Sequence, residues 1–224
     1  MSDVIANDPV IEQLLRAWLG AVQRYTHLFE GEDCCWWYNE RTSVSVLAGA
    51  AWTFGWAALE ECPTEKHPPS YSGVEADCPI RRGRIDLYIS TDREELTFEA
   101  KHVWQRLPGV DKVSEGRNGA RNAALDIPAH TTDRLFAATF VVPFFAESDL
   151  KDGDADLTTW VSNQVEHVGG RLESCAYYFP RLESGQLKNV ADFIYPGVML
   201  IIEEAHRVAG SINSSNRTTS SPSH

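Results

Sequence analysis

The sequence predicts a single α/β domain with a mixed central β-sheet flanked by helices. Two N-terminal stretches, 8–28 and 39–61, carry apolar residues at helical spacing. Short strand-like segments follow at 73–80, 84–90 and 96–104, separated only by turns. Helical and apolar segments then alternate to about residue 204, the pattern of a sheet covered by helices.

The first helix presents Ile11, Leu14, Leu15, Trp18, Leu19 and Val22 on one face. After the acidic turn GEDCCWWYNE, the positions Val44, Leu47, Ala48, Ala51, Phe54, Gly55 and Ala58 extend a second helix from Asn39 to Glu61. Pro63, Pro68 and Pro69 make 62–72 a loop. The segments 73–80, 84–90 and 96–104 form an antiparallel meander, turning at Arg81-Arg82-Gly83 and at TDREE. Gly109–Ile127 is a third helix that Pro128 stops. The run RLFAATFVVPFF at 134–145 is apolar throughout and predicts a strand buried on both faces. Leu157–Val168 is a fourth helix closed by Gly169-Gly170, with strands near 173–179 and 197–204. The domain is expected to span 1–210, and the Ser/Thr-rich stretch 211–224 to be a disordered tail.

Seven Trp, nine Phe and seven Tyr in 224 residues supply a substantial core. No stretch is apolar enough to span a bilayer, and residues 1–30 lack the basic start and apolar middle of a signal peptide. A soluble, cytoplasmic protein with no membrane partner is expected. The five cysteines show no CxxC spacing and read as buried free thiols. A net charge of −12 argues against non-specific nucleic-acid binding, but residues 81–121 carry nine Lys/Arg against seven Asp/Glu, so the basic charge is concentrated there.

That same window holds the residues with chemistry. Asp86 lies among Ile85, Leu87 and Tyr88, where an ionised carboxylate needs compensation. Glu99 and Lys101, two apart, project from one face of the next strand, and Asp86 and Glu99 meet across the short turn. Two carboxylates about 5 Å apart repel by roughly 3 kcal/mol at an effective dielectric near 20, which a divalent cation would relieve. Lys101 would orient or deprotonate a water and stabilise charge on a phosphate. His102 faces the opposite side and reads as structural.

The pattern Ile85-Asp86, then Glu99-Ala100-Lys101, resembles the Asp and Glu-x-Lys motifs of the PD-(D/E)XK nuclease superfamily, with Ile where Pro is common. Over residues 39–145 the expected α-β-β-β-α-β order is similar to that superfamily's restriction-endonuclease-like core. The resemblance implies Mg²⁺, with Mn²⁺ substituting, held by Asp86, Glu99, the Ala100 carbonyl and Glu40, whose position continues the inward stripe of the second helix. It implies Lys101 as the catalytic lysine beside these acids. Arg117, then Arg121, with Gln105 nearer the strand, are the expected contacts to substrate phosphate. The expected activity is metal-dependent hydrolysis of nucleic acid, DNA on the family's account, with a homodimer as an option. Two alternatives stay open: a catalytically inactive nuclease-fold protein, and an acidic interaction protein that binds a protein partner.

Overall fold

A computed structural model describes residues 1–66, 81–149, 153–168, 172–180, 187–189 and 193–207. In chain order the elements are β1 (Ser2–Ile5), α1 (Pro9–Leu28), α2 (Glu40–Thr53), β2 (Ala57–Lys66), β3 (Arg81–Ser90), β4 (Glu95–Arg106) and α3 (Val113–Leu125). They continue as β5 (Arg134–Ala146), α4 (Gly153–His167), β6 (Glu173–Tyr178), β7 (Phe193–Ile194) and β8 (Val198–Arg207). The strands form one open mixed sheet in the order β1-β6-β8-β5-β4-β3-β2, with β7 beside β5. Strands β4 and β5 are parallel, joined by the crossover through α3; the other neighbours are antiparallel.

Alternation along β5 shows why its sequence is apolar throughout. Phe136, Ala138, Phe140 and Val142 pack with Trp18, Leu14, Leu47 and Ala51 of α1 and α2. The intervening Leu135 and Ala137 meet Ala120 and Ala124 of α3, while Val141 meets Leu157 and Val161 of α4. The sheet thus carries α1 and α2 on one face and α3 and α4 on the other. Helix α1 starts at Asp8, whose Oδ1 accepts from Val10 N and Ile11 N at 3.0 and 3.1 Å, a cap worth about 1 kcal/mol.

The helix expected over 39–61 ends at Thr53. Phe54 and Gly55 turn the chain, Gly55 at φ 92°, and residues 57–66 run as the edge strand β2. Ala57, Ala58 and Leu59, which suit a helix, are held instead by pairing with Ser90, Ile89 and Tyr88. Pro63, taken as a loop signal, is tolerated because β2 is the last strand of the sheet. The first strand of the meander is therefore β2, and the strand expected at 73–80 lies outside the described residues. So do the expected tail and Cys78. The third helix is shorter than expected, beginning at Val113 after Asp111 accepts from Val113 N at 2.8 Å. Cys34, Cys35 and Cys175 are buried and Cys62 half-buried, all free; burial pushes the Cys35 and Cys175 thiols up to about 12.

Helix α3 approaches β4 most closely at Gly116, where a Cβ would stand 2.2 Å from Val103 Cγ2. Gly116→Ala should push α3 away from β4 and lower stability by about 1–3 kcal/mol, despite the better helix propensity of Ala. A urea unfolding midpoint equal to or above wild type would contradict this packing.

Candidate active site

The site forms where pairing between β3 and β4 stops. Their ladder runs from Ser90↔Glu95 to Leu87↔Phe98. One further step in that register would set Asp86 opposite Glu99, and among the described residues no strand pairs with β4 on this side beyond Phe98. On the other flank of Asp86, β2 pairs Glu60 with Leu87 and Cys62 with Ile85 but omits Glu61 and Asp86. Glu61 has φ 56°, a left-handed conformation that costs a non-glycine residue about 1 kcal/mol or more. Both neighbouring strands therefore let go of the chain at Asp86.

Side chains take the place of the missing strand along the open edge of β4. Asp86 Oδ2 accepts from Ala100 N at 2.7 Å, and Glu40 Oε2 accepts from His102 N at 3.1 Å. In a strand the N–H and C=O of one residue point the same way, so the Ala100 carbonyl lies on this edge too. It accepts from Lys101 Nζ at 2.7 Å, and the same ammonium stands 3.5 Å from Glu40 Oε2. Asp86, the Ala100 carbonyl, Lys101 and Glu40 are thereby gathered at one edge.

Glu99 is the buried member, 3% exposed. Burial, then the charge of Asp86, pushes its carboxyl up to about 7, against the pull of Lys66 and Lys101. Lys66 Nζ donates to Glu99 Oε1 at 2.7 Å. Asp86 and Glu40 also line a cleft of about 180 Å³ with Arg41, Val44, Glu60 and Glu61. Of its acids, Glu60 accepts from Ser45 Oγ at 2.8 Å, and Glu61 pairs with Arg84 and Arg41 at 3.1 and 3.3 Å.

Asp86, whose charge adds to burial in raising Glu99, and the neighbouring Ala100 carbonyl offer oxygens of the kind that a hard cation such as Mg²⁺ or Mn²⁺ takes. Among the described residues no three Asp, Glu, His or Cys side chains converge closely enough to hold an ion together. The oxygens that could serve a cation here are those of Asp86, Glu99 and the Ala100 carbonyl. Glu40, expected as a further ligand, lines the cleft but spends Oε2 on His102 N and Lys101.

The residues expected at substrate phosphate are placed differently. Arg117 donates from Nε to Glu203 at 2.9 Å and from an Nη to Glu173 at 2.6 Å. Burial works against its charge, but these two carboxylates outweigh it and raise its pKa. It is committed to joining α3 to β6 and β8. Arg121, half-exposed, stands 3.6 Å from Glu203. Gln105 is buried: its amide nitrogen donates to the Arg106 and Val110 carbonyls at 2.8 and 3.1 Å, and its oxygen accepts from Lys112 N at 2.8 Å. It holds the loop before α3. His102 faces α2, with Nδ1 3.1 Å from Ser43 Oγ, and burial lowers it to about 4, so it is neutral at pH 7.

Sequence reading missed Lys66, because Pro63 and the prolines beyond it placed that stretch in a loop. A reading of 57–66 as an edge strand paired with 81–90 would have set Lys66 one strand from Asp86. Compared with family models, curated proteins and solved structures, the chain matches none of them, so its function must be argued from this geometry.

Proposed function

We propose that the protein is a metal-dependent phosphodiesterase acting on nucleic acid, DNA first, with a restriction-endonuclease-like core and a PD-(D/E)XK type of site. One observation carries the reading: where the β3–β4 ladder ends, Asp86 accepts from Ala100 N and Lys101 Nζ donates to the Ala100 carbonyl, next in the chain to buried Glu99. The order α2-β2-β3-β4-α3-β5 agrees with that core.

Asp86, Glu99 and the Ala100 carbonyl would hold Mg²⁺, which when bound supplies an activated water and positive charge for the phosphate. Asp86 is oriented for this by Ala100 N, and Glu99 by its burial. Lys101, 40% exposed at its side chain, is placed to leave the carbonyl and Glu40 and stabilise charge on the phosphate. Glu40 fixes the open edge through His102 N and so keeps Lys101 near the acids. No helix among the described residues is long and apolar enough to cross a membrane.

A second reading has support in the acids Glu40, Glu60, Glu61 and Asp86 around one cleft, which suit a basic protein partner. The two are separated by metal and DNA. Millimolar Mg²⁺ or Mn²⁺ should raise the melting temperature of the wild type, and Asp86→Asn should abolish the gain. The wild type should also cut plasmid or single-stranded DNA only when the metal is present. Metal-independent stability together with no cleavage would end the phosphodiesterase reading and favour the protein partner.

A further inference from the structure

Lys66 closes β2, opposite Arg81 of β3. A lysine at a strand end ordinarily keeps its ammonium in water. Here the side chain is 12% exposed and turns inward, with Nζ 2.7 Å from Oε1 of Glu99, whose side chain is 4% exposed. Gly83 makes room for that path. A Cβ there would stand 2.8 Å from Lys66 Cδ and 2.9 Å from Cγ, so the stem lies directly against the glycine backbone. Its neighbours Arg81 and Arg84 pair elsewhere, with Asp126 and Glu61 at 2.7 and 3.1 Å. The buried lysine is thus directed at the central carboxylate of the proposed site.

Glu99 cannot serve this ammonium and a divalent cation equally. A unit positive charge about 4 Å from a divalent cation, at an effective dielectric near 20, opposes its binding by several orders of magnitude unless the charges move apart. The pair with Lys66 must loosen when Glu99 becomes a ligand, which releases the ammonium from its carboxylate next to the proposed site.

We propose that Lys66 is a second catalytic lysine, held on Glu99 until that carboxylate ligates a divalent cation and then turned to a non-bridging oxygen of the substrate phosphate. The change is an exchange of ion-pair partners and breaks no covalent bond. It rests on the phosphodiesterase reading of the site.

The test compares wild type, Lys66→Met, Lys66→Arg and Asp86→Asn, using Mn²⁺ titrations by calorimetry and thermal shift. Single-turnover cleavage of a labelled DNA oligonucleotide at saturating Mn²⁺ gives the second readout. Met keeps the stem against Gly83 and removes the charge. Lys66→Met should bind Mn²⁺ about tenfold tighter or more and cut about 10²-fold slower. Lys66→Arg should recover part of the rate, and its planar fork should hold Glu99 more firmly and move the Mn²⁺ midpoint upward. If Lys66→Met fails to fold, an unchanged midpoint in Lys66→Arg overturns the proposal. Unchanged or weaker Mn²⁺ binding in a folded Lys66→Met overturns it too, as does an unchanged rate. If wild type binds Mn²⁺ and Asp86→Asn does not, such results remove Lys66's role alone. If wild type binds none, the site reading and this proposal fall together.

Discussion

Arg134→Met should destabilise the fold by about 3–5 kcal/mol and lower Tm by roughly 10 °C or more. Arg134 opens β5, is 1% exposed, and is among the largest fully buried side chains of the protein. Its Nε and one Nη hold Glu204 of β8 at 2.9 Å each, the geometry in which a guanidinium binds a carboxylate by two parallel bonds. The other Nη reaches Glu94 at 3.1 Å, and Asp8 lies 2.9 Å from the first. The guanidinium carbon stands 4.8 Å from the centre of the Phe136 ring. Burial works against the charge, but Glu204 and Asp8 outweigh it and raise the arginine's pKa. Removing it leaves acids from the turn before β4, from β8 and from the cap of α1 close together without their cation. Replacing Glu204 by Gln in the Met variant should recover part of the loss, since one like charge goes with it. Equal chemical-denaturation midpoints for wild type and Arg134→Met would show that the cluster is marginal.

The same residue has a pH signature. Arg134 and the main-chain N–H groups of α1 hold Asp8 below its ordinary value, overcoming the burial that would raise it. A carboxylate lowered on folding contributes stability that is present above its unfolded pKa and lost as pH falls through its folded pKa. Arg134→Met lacks most of this acid-labile contribution, so its stability should fall less steeply than that of the wild type as pH drops through the folded pKa of Asp8.

How far the sequence revealed this protein depends on how locally each feature is encoded. Helix α1 was legible because its apolar stripe lies within one stretch of chain. Strand β5 was legible because burial on both faces leaves an apolar run. The end of α2 was not, since Phe54–Ala58 continues a helical apolar pattern and only pairing with β3 makes 57–66 a strand. Strand β1, four residues long, has no signal beyond its pairing with β6. That Asp86 lies one step beyond the last β3–β4 pair, in register with Glu99, could be read because a hairpin register follows from the turn between two strands. The partners of Arg117 could not, because Glu173 and Glu203 are more than fifty residues away in the chain. Lys66 required β2 to be recognised first.

The chemistry of the site should divide cleanly between Asp86 and Lys101. On the proposed reading of the site, Asp86→Asn takes away a donor oxygen and should abolish both Mn²⁺ binding and cleavage. Lys101→Ala should lower single-turnover cleavage by about 10²–10³-fold while Mn²⁺ binds at least as tightly as to wild type, because the change takes no ligand oxygen from the metal and removes a positive charge from beside it. The pH dependence follows from Glu99, raised from 4.5 to about 7 by burial and by Asp86. Without metal, raising it costs the ionised folded state about 3 kcal/mol. Stability from this group is therefore full below its unfolded value and lost as pH rises through about 7. A bound cation reverses the balance, since it needs the carboxylate and must displace its proton at lower pH. Apparent Mn²⁺ affinity, and cleavage at limiting Mn²⁺, should rise about tenfold per pH unit up to about 7 and level off above it. Metal-induced stabilisation should accordingly be greater at pH 8 than at pH 6. Glu99→Gln should remove both the pH dependence and the activity. A wild-type profile that is flat from pH 6 to 8 would mean that Glu99 does not exchange its proton for the metal.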